Sequence, residues 1–69
     1  MFQNKFAERL KELREDRNLS PKQLGDKIGV SDVAIYRWES KQRTPNIDSL
    51  ILLAQFFNVS TDYLLGLED

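Results

Sequence analysis

The side chains best suited to chemistry lie in one short segment, GVSDVAIYRWESKQRTP, which spans residues 29–45. Its basic residues are Arg37, Lys41 and Arg43. Arginine suits guanine edges and phosphate, and apolar or aromatic side chains such as Val33 and Tyr36 suit thymine methyl groups and exposed rings. Two acids, Asp32 and Glu39, lie in the same segment. The segment therefore has the donors of a nucleic-acid-binding surface, and its acids need a separate explanation.

The composition excludes several other kinds of chemistry. The 69 residues contain no cysteine and no histidine, so the chain has no disulfide, no thiolate or imidazole metal site and no histidine-based triad. No group of carboxylates and lysines converges in the pattern, as acid–base catalysis would require. We predict that the protein is not an enzyme and uses no cofactor and no metal. The longest nearly apolar run, residues 50–57, is too short to span a bilayer, so no membrane partner is predicted.

The net charge of −1 conceals a division of the chain. Residues 1–43 carry all ten Lys and Arg against seven acids, which gives +3, whereas residues 44–69 carry four acids and no base, which gives −4. Attraction to phosphate acts over roughly 8–10 Å, so local charge matters more than the total. An ordinary solvated surface is the simplest alternative, but the division favours anion binding by the first part of the chain.

Apolar periodicity and capping residues predict five short helices. The predicted segments are residues 4–17, 21–28, 32–40 and 47–57, followed by a short fifth helix after residue 60. The predicted amino-terminal caps of the last four are Ser20, Ser31, Asn46 and Ser60. Strand-type alternation is scarce. The sequence thus predicts an all-α, compact five-helix domain over residues 1–69.

The second and third helices are predicted to form a helix-turn-helix motif over residues 21–40. LSPKQL is a capping box, with Gln23 three residues after its serine, and Gly29 permits the left-handed conformation that ends a helix. Only residues 29–31 separate the two helices, a turn length typical of this motif. Gly25 either lets the two helices approach closely or is a tolerated glycine that costs about 1 kcal/mol.

A helical projection gives the third helix two faces. Ala34, Ile35 and Trp38 cluster on one side and are predicted to face the core. The opposite side comprises Asp32, Val33, Tyr36, Arg37 and Ser40. A merely solvated face would more usually carry Glu and Lys throughout, so this face is predicted to bind DNA. The alternative for Tyr36 is that its ring packs sideways on a neighbouring helix.

Glu39 lies on the boundary between these two faces. A carboxylate that is partly buried there needs a partner, because burying it alone would cost several kcal/mol. Arg14, at the edge of the apolar stripe of the first helix, is the predicted partner.

Together these residues resemble the Cro/C1-type (XRE) helix-turn-helix family of bacterial and phage repressors. The resemblance runs through ERLKELREDRNLS, QLGDKIGVSDVAIYRWESKQRTP and LILLAQFFNVSTDYLLG, which is nearly the entire chain. The pattern L-S-x-x-x-L-[AG]-x-x-[IV]-G-V-S, then I-x-x-W-E, then a proline, is specific in combination. The resemblance implies a lambda-repressor-like fold and a transcriptional regulator, expected to be a repressor, that binds double-stranded DNA as a homodimer. A cytoplasmic, nucleoid-associated protein of bacterial or phage origin is then expected.

The resemblance also implies roles for individual residues. The third helix would lie in the major groove, and the second would cross the DNA backbone. The residues expected at bases or the adjacent sugar-phosphate are Ser31, Asp32, Val33, Tyr36 and Arg37. Those expected at phosphates are Lys22, Gln23, Ser40, Lys41 and Arg43. The family also pairs the arginine and glutamate that align with Arg14 and Glu39, which implies a structural ion pair.

Three features depart from the family pattern. Pro21 stands where a glutamine or other polar residue often begins the second helix, which removes one amide donor. Ser40 and Lys41 replace the common Asn-Gly after the Trp-Glu pair, so the loop path is open. Asp32 at the tip of the third helix would repel phosphate, although it can accept from N4 of cytosine.

The fourth helix carries more apolar residues than one inward stripe needs. That stripe is predicted to comprise Ile47, Leu50, Leu53, Ala54 and Phe57. Ile51 and Phe56 either widen the core contact or join Leu52 on the surface. Leu52 and Phe56 are predicted to line a homodimer interface, since dimers of such modules read two half-sites about 34 Å apart. The alternative function is an antitoxin-like or other protein-interaction module with the same fold.

Overall fold

The computed structural model describes residues 4–69, and all five predicted helices are present in it. They are α1 (Phe6–Asp16), α2 (Pro21–Ile28), α3 (Asp32–Glu39), α4 (Ile47–Phe57) and α5 (Thr61–Leu65). The described residues contain no strand, which confirms the all-α fold class.

The predicted caps fix where four of these helices begin. The side chains of Ser20, Ser31, Asn46 and Ser60 each accept a hydrogen bond from the backbone N–H three residues further on. At α2 the capping box is complete, because the Ser20 N–H also donates to Gln23 Oε1 at 2.8 Å. Each such cap contributes about 1 kcal/mol by satisfying an amide that has no partner within the helix. The local sequence thus sets both ends of the helix-turn-helix turn.

Helix α1 is shorter than predicted at both ends. Its amino end starts two residues late: Lys5 is the N-cap, with a non-helical φ of −103° and ψ of 19°, Asn4 Oδ1 accepts from the Phe6 N–H at 3.1 Å, and the Lys5 N–H donates to Leu65 O at 3.1 Å. At the other end, Arg17 is the cap and Asn18 adopts a left-handed φ of 57°. The backbone N–H of Lys5, which has no partner within α1, thus holds the end of α5.

The core takes one fully buried aliphatic side chain from every helix. These are Leu10, Leu24, Ile35, Leu53 and Leu64, each with 0% of its surface exposed. Trp38 is also buried, as predicted, and its ring meets Phe6 edge to face with centroids 6.3 Å apart. Burying one such side chain contributes about 1.5–3 kcal/mol, so every helix has at least one residue that holds it to the core.

One prediction about inward faces needs correction. Ile47, assigned to the inward stripe of α4, is 75% exposed. It is the first residue of α4, and a helix stripe is buried only over the length that other helices cover. Ala34, predicted to face the core from α3, does pack against it, although its side chain is only half-buried.

The two ends of the described chain are joined by Arg9. Its Nη1 donates to Tyr63 O and to Glu68 O, both at 2.5 Å, and its guanidinium lies 4.2 Å from the centroid of the Tyr63 ring. The five-residue α5 would not be stable alone. It is therefore held against α1 by Arg9, by the buried Leu64 and by the Lys5 amide.

Candidate nucleic-acid interface

Helix α3 presents a mixed apolar and basic face to solvent. Val33 is 50% exposed and Tyr36 is 60% exposed, while Ile35 and Trp38 on the other side are buried. Most of the Tyr36 side chain is therefore open to solvent, although it also borders the groove beside Lys11 and Pro21. Arg37 is exposed on the same helix and forms no ion pair with any of residues 4–69. Val33, Tyr36 and Arg37 thus present an apolar side chain, a phenol and a guanidinium to solvent on one short helix.

The amino end of α3 holds two of the residues expected at bases. Ser31 Oγ accepts from the Ala34 N–H at 3.1 Å, so its oxygen is engaged in capping while its hydroxyl hydrogen remains a donor. Asp32 Oδ1 accepts from the Val33 N–H at 2.9 Å. The carboxylate is thereby held at the positive end of the helix, where a negative charge is stabilised. This position explains how an acid is accommodated at the tip of an otherwise basic and apolar face.

The turn between α2 and α3 requires Gly25. A Cβ atom at this position would lie 2.4 Å from Val30 O, which is far inside contact distance. Gly25 O in turn accepts from the N–H groups of Gly29 and Val30, at 2.8 and 2.9 Å. Gly29 adopts a left-handed φ of 80°. Of the two interpretations of Gly25, close approach is therefore correct, and the close partner is the turn that leads into α3.

The first turn of α2 holds Lys22 and Gln23, both exposed. Lys22 Nζ lies 3.7 Å from Asp26 Oδ2 one turn later, a solvent-exposed pair that phosphate can replace at little cost. Gln23 gives its side-chain oxygen to the capping box, which leaves its NH₂ group as the donor that faces outward. Pro21, which has no N–H, is accommodated at the first helical position, where that N–H would have no helical partner.

The loop after α3 carries the other residues expected at phosphates, Ser40, Lys41 and Arg43, all exposed. Lys41 has a left-handed φ of 66°, so it occupies the conformation that a glycine would adopt most easily. The N–H groups of Gln42 and Arg43 both donate to Arg37 O, at 2.9 and 3.2 Å. The loop backbone is therefore fixed directly onto the last turn of α3.

Beneath this surface, the expected Arg14–Glu39 ion pair is present. Arg14 Nε and Nη2 donate to the two carboxylate oxygens of Glu39 at 2.6 and 2.8 Å, and Nη1 donates to Leu19 O at 2.7 Å. Only 11% and 10% of the two side chains are exposed. The hydrogen bonds from Arg14 to Glu39 raise the pKa of Arg14 above its ordinary value. The pair joins α1 to the end of α3 and removes the Glu39 charge from the exposed face.

Two side chains of α1 that the sequence interpretation passed over border the same surface. Lys11 lines a cavity of about 350 Å³ together with Pro21, Tyr36 and Ser40. Glu8 Oε1 lies 2.8 Å from Lys41 Nζ. Lys11 lies one turn before Arg14 on the same side of α1, so that spacing could have indicated it. Glu8 lies one turn further back, about 120° around the helix from Arg14, and no local pattern indicates its contact with Lys41.

The residues expected at a dimer contact lie on α4, apart from the α3 face. Leu52 is 44% exposed. Phe56 is half-buried: its ring meets Phe57 edge to face at 5.0 Å, and the Arg17 guanidinium covers it at 5.2 Å from the centroid. Ile47 and Ile51 are also exposed on α4, so they, with Leu52, form the exposed apolar patch of this helix.

Neither a membrane span nor a metal cluster is found in the described part of the chain. No helix among residues 4–69 is long and apolar enough to cross a bilayer. Those residues also contain no group of three or more acidic, histidine or cysteine side chains placed to hold a metal ion.

Known proteins resemble this chain in sequence and in structure. YobD of Bacillus subtilis, named as an uncharacterized HTH-type transcriptional regulator, is 38% identical over 64 residues, which is 93% of this chain and 57% of that protein. Repressor protein C2 of Salmonella phage P22 is 38% identical over 60 residues, 87% of this chain and 28% of that protein. The chain spans about half or less of the length of most of the curated relatives it matches.

The solved structures agree with the sequence comparison. The P22 c2 repressor in complex with a synthetic operator superposes with a TM-score of 0.85 at 35% identity, covering 91% of this chain and 96% of that one. A transcriptional regulator from Listeria innocua gives a TM-score of 0.90 at 31% identity, covering 99% of this chain and 64% of that one.

The fold and the exposed face of α3 define a five-helix domain built around a helix-turn-helix. The sequence model of the helix-turn-helix family matches residues 10–64. The chain belongs to the Cro/C1-type (XRE) helix-turn-helix family. This membership confirms the resemblance and supports the prediction that the chain is not an enzyme.

Proposed function

We propose that this chain is a sequence-specific DNA-binding domain of a transcriptional regulator, of the repressor type, that inserts α3 into the major groove. The observation that carries the proposal is the exposed face of α3. Val33 and Tyr36 are exposed there, and the exposed Arg37 has no ion-pair partner among the described residues. Family membership and the likeness to a repressor solved with its operator support it. Residues 1–69 act as one domain in the bacterial cytoplasm.

The proposed base-reading group is Ser31, Asp32, Val33, Tyr36 and Arg37. Arg37 is suited to the O6 and N7 acceptors of guanine, Val33 to a thymine methyl group, and Asp32 to the N4 amine of cytosine. Ser31 keeps a hydroxyl donor because only its oxygen is used in capping. These are direct contacts with base edges, so their removal changes sequence preference.

The proposed phosphate-binding group is Lys22, Gln23, Ser40, Lys41 and Arg43. The roles of Ser40, Lys41 and Arg43 are supported by the backbone hydrogen bonds that hold their loop on Arg37 O. A loop with a fixed backbone presents its donors on one side. Gln23 is supported by the outward NH₂ group of the capping box. Contacts of this kind position the protein and carry no sequence information of their own.

The test compares two arginines on the duplexes that the wild-type protein selects from a random-sequence library. Wild-type affinity should fall steeply with salt, because each phosphate contact releases counterions. Arg37→Ala should reduce the discrimination between selected and scrambled duplexes by about 1–3 kcal/mol. Arg43→Ala should weaken binding to both duplexes alike and reduce the salt slope by about 1. Affinity that does not respond to salt would rule out the phosphate-contact model.

We also propose that the protein binds DNA as a homodimer through α4. Leu52 is the centre of the proposed contact, and the exposure of Ile47 and Ile51 supports a wider apolar patch than the sequence indicated. Phe56 contributes only the part of its ring that Arg17 leaves open. Sedimentation should detect a dimer that Leu52→Lys converts to monomer, whereas Glu12→Lys, at an exposed polar site on α1, should leave it dimeric.

The same apolar patch favours a second candidate, a protein-interaction module such as an antitoxin-like subunit. The two functions differ in what the isolated chain does. A dimer whose elution shifts with the selected duplex alone supports the regulator. A chain that binds no duplex and becomes a dimer or larger complex only with a partner protein supports the module.

A further inference from the structure

One ion pair connects the first helix to the loop proposed to bind phosphate. Glu8, in the first turn of α1, places Oε1 2.8 Å from Nζ of Lys41. Each side chain is largely exposed, so solvent and other anions reach the pair. The hydrogen bond and charge of Lys41 hold the pKa of the Glu8 carboxyl below its ordinary value. At neutral pH the lysine therefore faces a full negative charge before any DNA arrives.

The backbone of Lys41 has little freedom to carry the ammonium elsewhere. Its N–H donates to Trp38 O at 3.3 Å, and its φ of 66° is fixed by the bonds that tie the next two amides to Arg37 O. Lys41 also lines a cavity of about 460 Å³ with Asn4, Arg43 and Thr44 at its polar rim. The fixed backbone keeps the ammonium within the reach of one side chain, and within that reach the Glu8 carboxylate and an incoming phosphate compete for it.

We propose that Glu8 competes with a DNA phosphate for the Lys41 ammonium and so lowers the affinity of the domain for DNA. This inference rests on the proposed function. A phosphate that takes Lys41 must displace the carboxylate, and the displaced carboxylate stays within a Debye length of the phosphate and repels it. Both effects oppose binding, and neither acts on base preference. Glu8 therefore tunes affinity without altering which duplex is bound.

The experiment measures binding to one duplex that the wild-type protein selects from a random-sequence library, by fluorescence anisotropy at several salt concentrations. The variants are Glu8→Gln, Glu12→Gln, Lys41→Gln and the double variant Glu8→Gln/Lys41→Gln. Glu12→Gln is the matched control, because Glu12 is exposed one turn along α1 and forms no ion pair with the described residues. Trp38 fluorescence verifies that each variant is folded.

Glu8→Gln should bind about threefold to tenfold tighter than wild type and show a salt slope steeper by up to about 1 per half-site. Glu12→Gln should differ from wild type by less than about twofold. In the Lys41→Gln background, adding Glu8→Gln should change affinity clearly less than it does in wild type, because the competition for the ammonium is gone and only the repulsion of the phosphate remains.

Three results would overturn the inference. Equal effects of Glu8→Gln and Glu12→Gln would mean that only total charge matters. Weaker binding by Glu8→Gln would mean that the carboxylate assists Lys41 by orienting it. If Glu8→Gln changed the DNA affinity as much in the Lys41→Gln background as in wild type, competition for Lys41 would not be the cause. Failure of the proposed function itself is distinct, because the wild-type protein would then select no duplex or bind it without salt dependence.

Discussion

Arg14 and Glu39 share two parallel hydrogen bonds, at 2.6 and 2.8 Å, that connect α1 to the final residue of α3. A third bond, from Arg14 Nη1 to Leu19 O at 2.7 Å, extends the connection to the residue that precedes the α2 cap. One guanidinium therefore holds three segments in fixed relation: α1, the entry to the helix-turn-helix and its exit. The orientation of α3 depends on this single side chain more than on any other polar group described.

Breaking this pair from one side should destabilise the domain. Arg14→Met or Glu39→Leu alone leaves a largely buried charge without a partner, and each should lower the free energy of unfolding by about 2–4 kcal/mol. The double variant Arg14→Met/Glu39→Leu should be more stable than either single variant, since no unpaired charge remains. Urea unfolding followed by circular dichroism, at one protein concentration, measures all three.

The exposed Lys22–Asp26 pair provides the control. Lys22→Met and Asp26→Leu should each change the free energy of unfolding by less than about 1 kcal/mol, because solvent screens that pair. Similar losses at the two pairs would contradict the structural role of Arg14 and Glu39.

Gly25 should tolerate no side chain. Gly25→Ala should lower the free energy of unfolding by about 2 kcal/mol or more, because its Cβ would overlap Val30 O. Helix propensity acts in the opposite direction, by about 1 kcal/mol in favour of alanine. Gly29→Ala is the comparison: it meets no atom within 4 Å and should cost only about 1–2 kcal/mol, from its φ of 80°. Thermal unfolding that ranks Gly29→Ala as the worse variant would refute the close-approach argument.

Lys41→Gly should separate stability from DNA binding. Glycine adopts the φ of 66° without the penalty of about 1–2 kcal/mol that a side chain incurs there, so the melting temperature should rise by a few degrees. DNA affinity should fall because the ammonium is lost. Ser40→Gly, at a φ of −91°, should instead lower the melting temperature. Calorimetry and anisotropy on the same samples test both statements, and a destabilised Lys41→Gly would show that the left-handed backbone carries no strain.

The Glu8 carboxyl should titrate below its ordinary range, because Lys41 donates a hydrogen bond to the charged form. Since this pKa is lower in the folded protein than in the unfolded chain, the stabilisation is present at neutral pH and is lost as the pH falls through the folded pKa. Side-chain carboxyl NMR titration measures it directly. Lys41→Gln or high salt should move the pKa upward. If neither Lys41→Gln nor high salt shifted the pKa of Glu8, Lys41 would not be the cause of the lowered pKa.

The helix ends were predictable because they depend on adjacent residues. Ser20, Gln23 and Gly29 determine α2 within ten residues, and Asn46 does the same for the start of α4. The split of α3 into a buried and an exposed face also followed from helical geometry, and with it came the assignment of Trp38 to the core.

Features that depend on how helices pack were predicted less well. Ile47 lies on the correct stripe of α4, but the sequence does not say how far the neighbouring helices extend along it. The contact between Glu8 and Lys41 joins positions 33 residues apart, and no local pattern connects them. The Arg14–Glu39 pair was found because a charge at the edge of a buried face requires a partner, whereas the exposed Glu8 requires none.

The Arg9 contacts have a consequence for how the chain folds. Most helix contacts join segments close in sequence, but Arg9 bonds to carbonyls 54 and 59 residues away. Closing so long a loop costs only slowly increasing entropy, and α5, which also packs on the neighbouring α4, gains its contacts with α1 only after that closure. The last helix should therefore reach its full packing after the first four have assembled, and its contacts with α1 should open early when the native state begins to unfold.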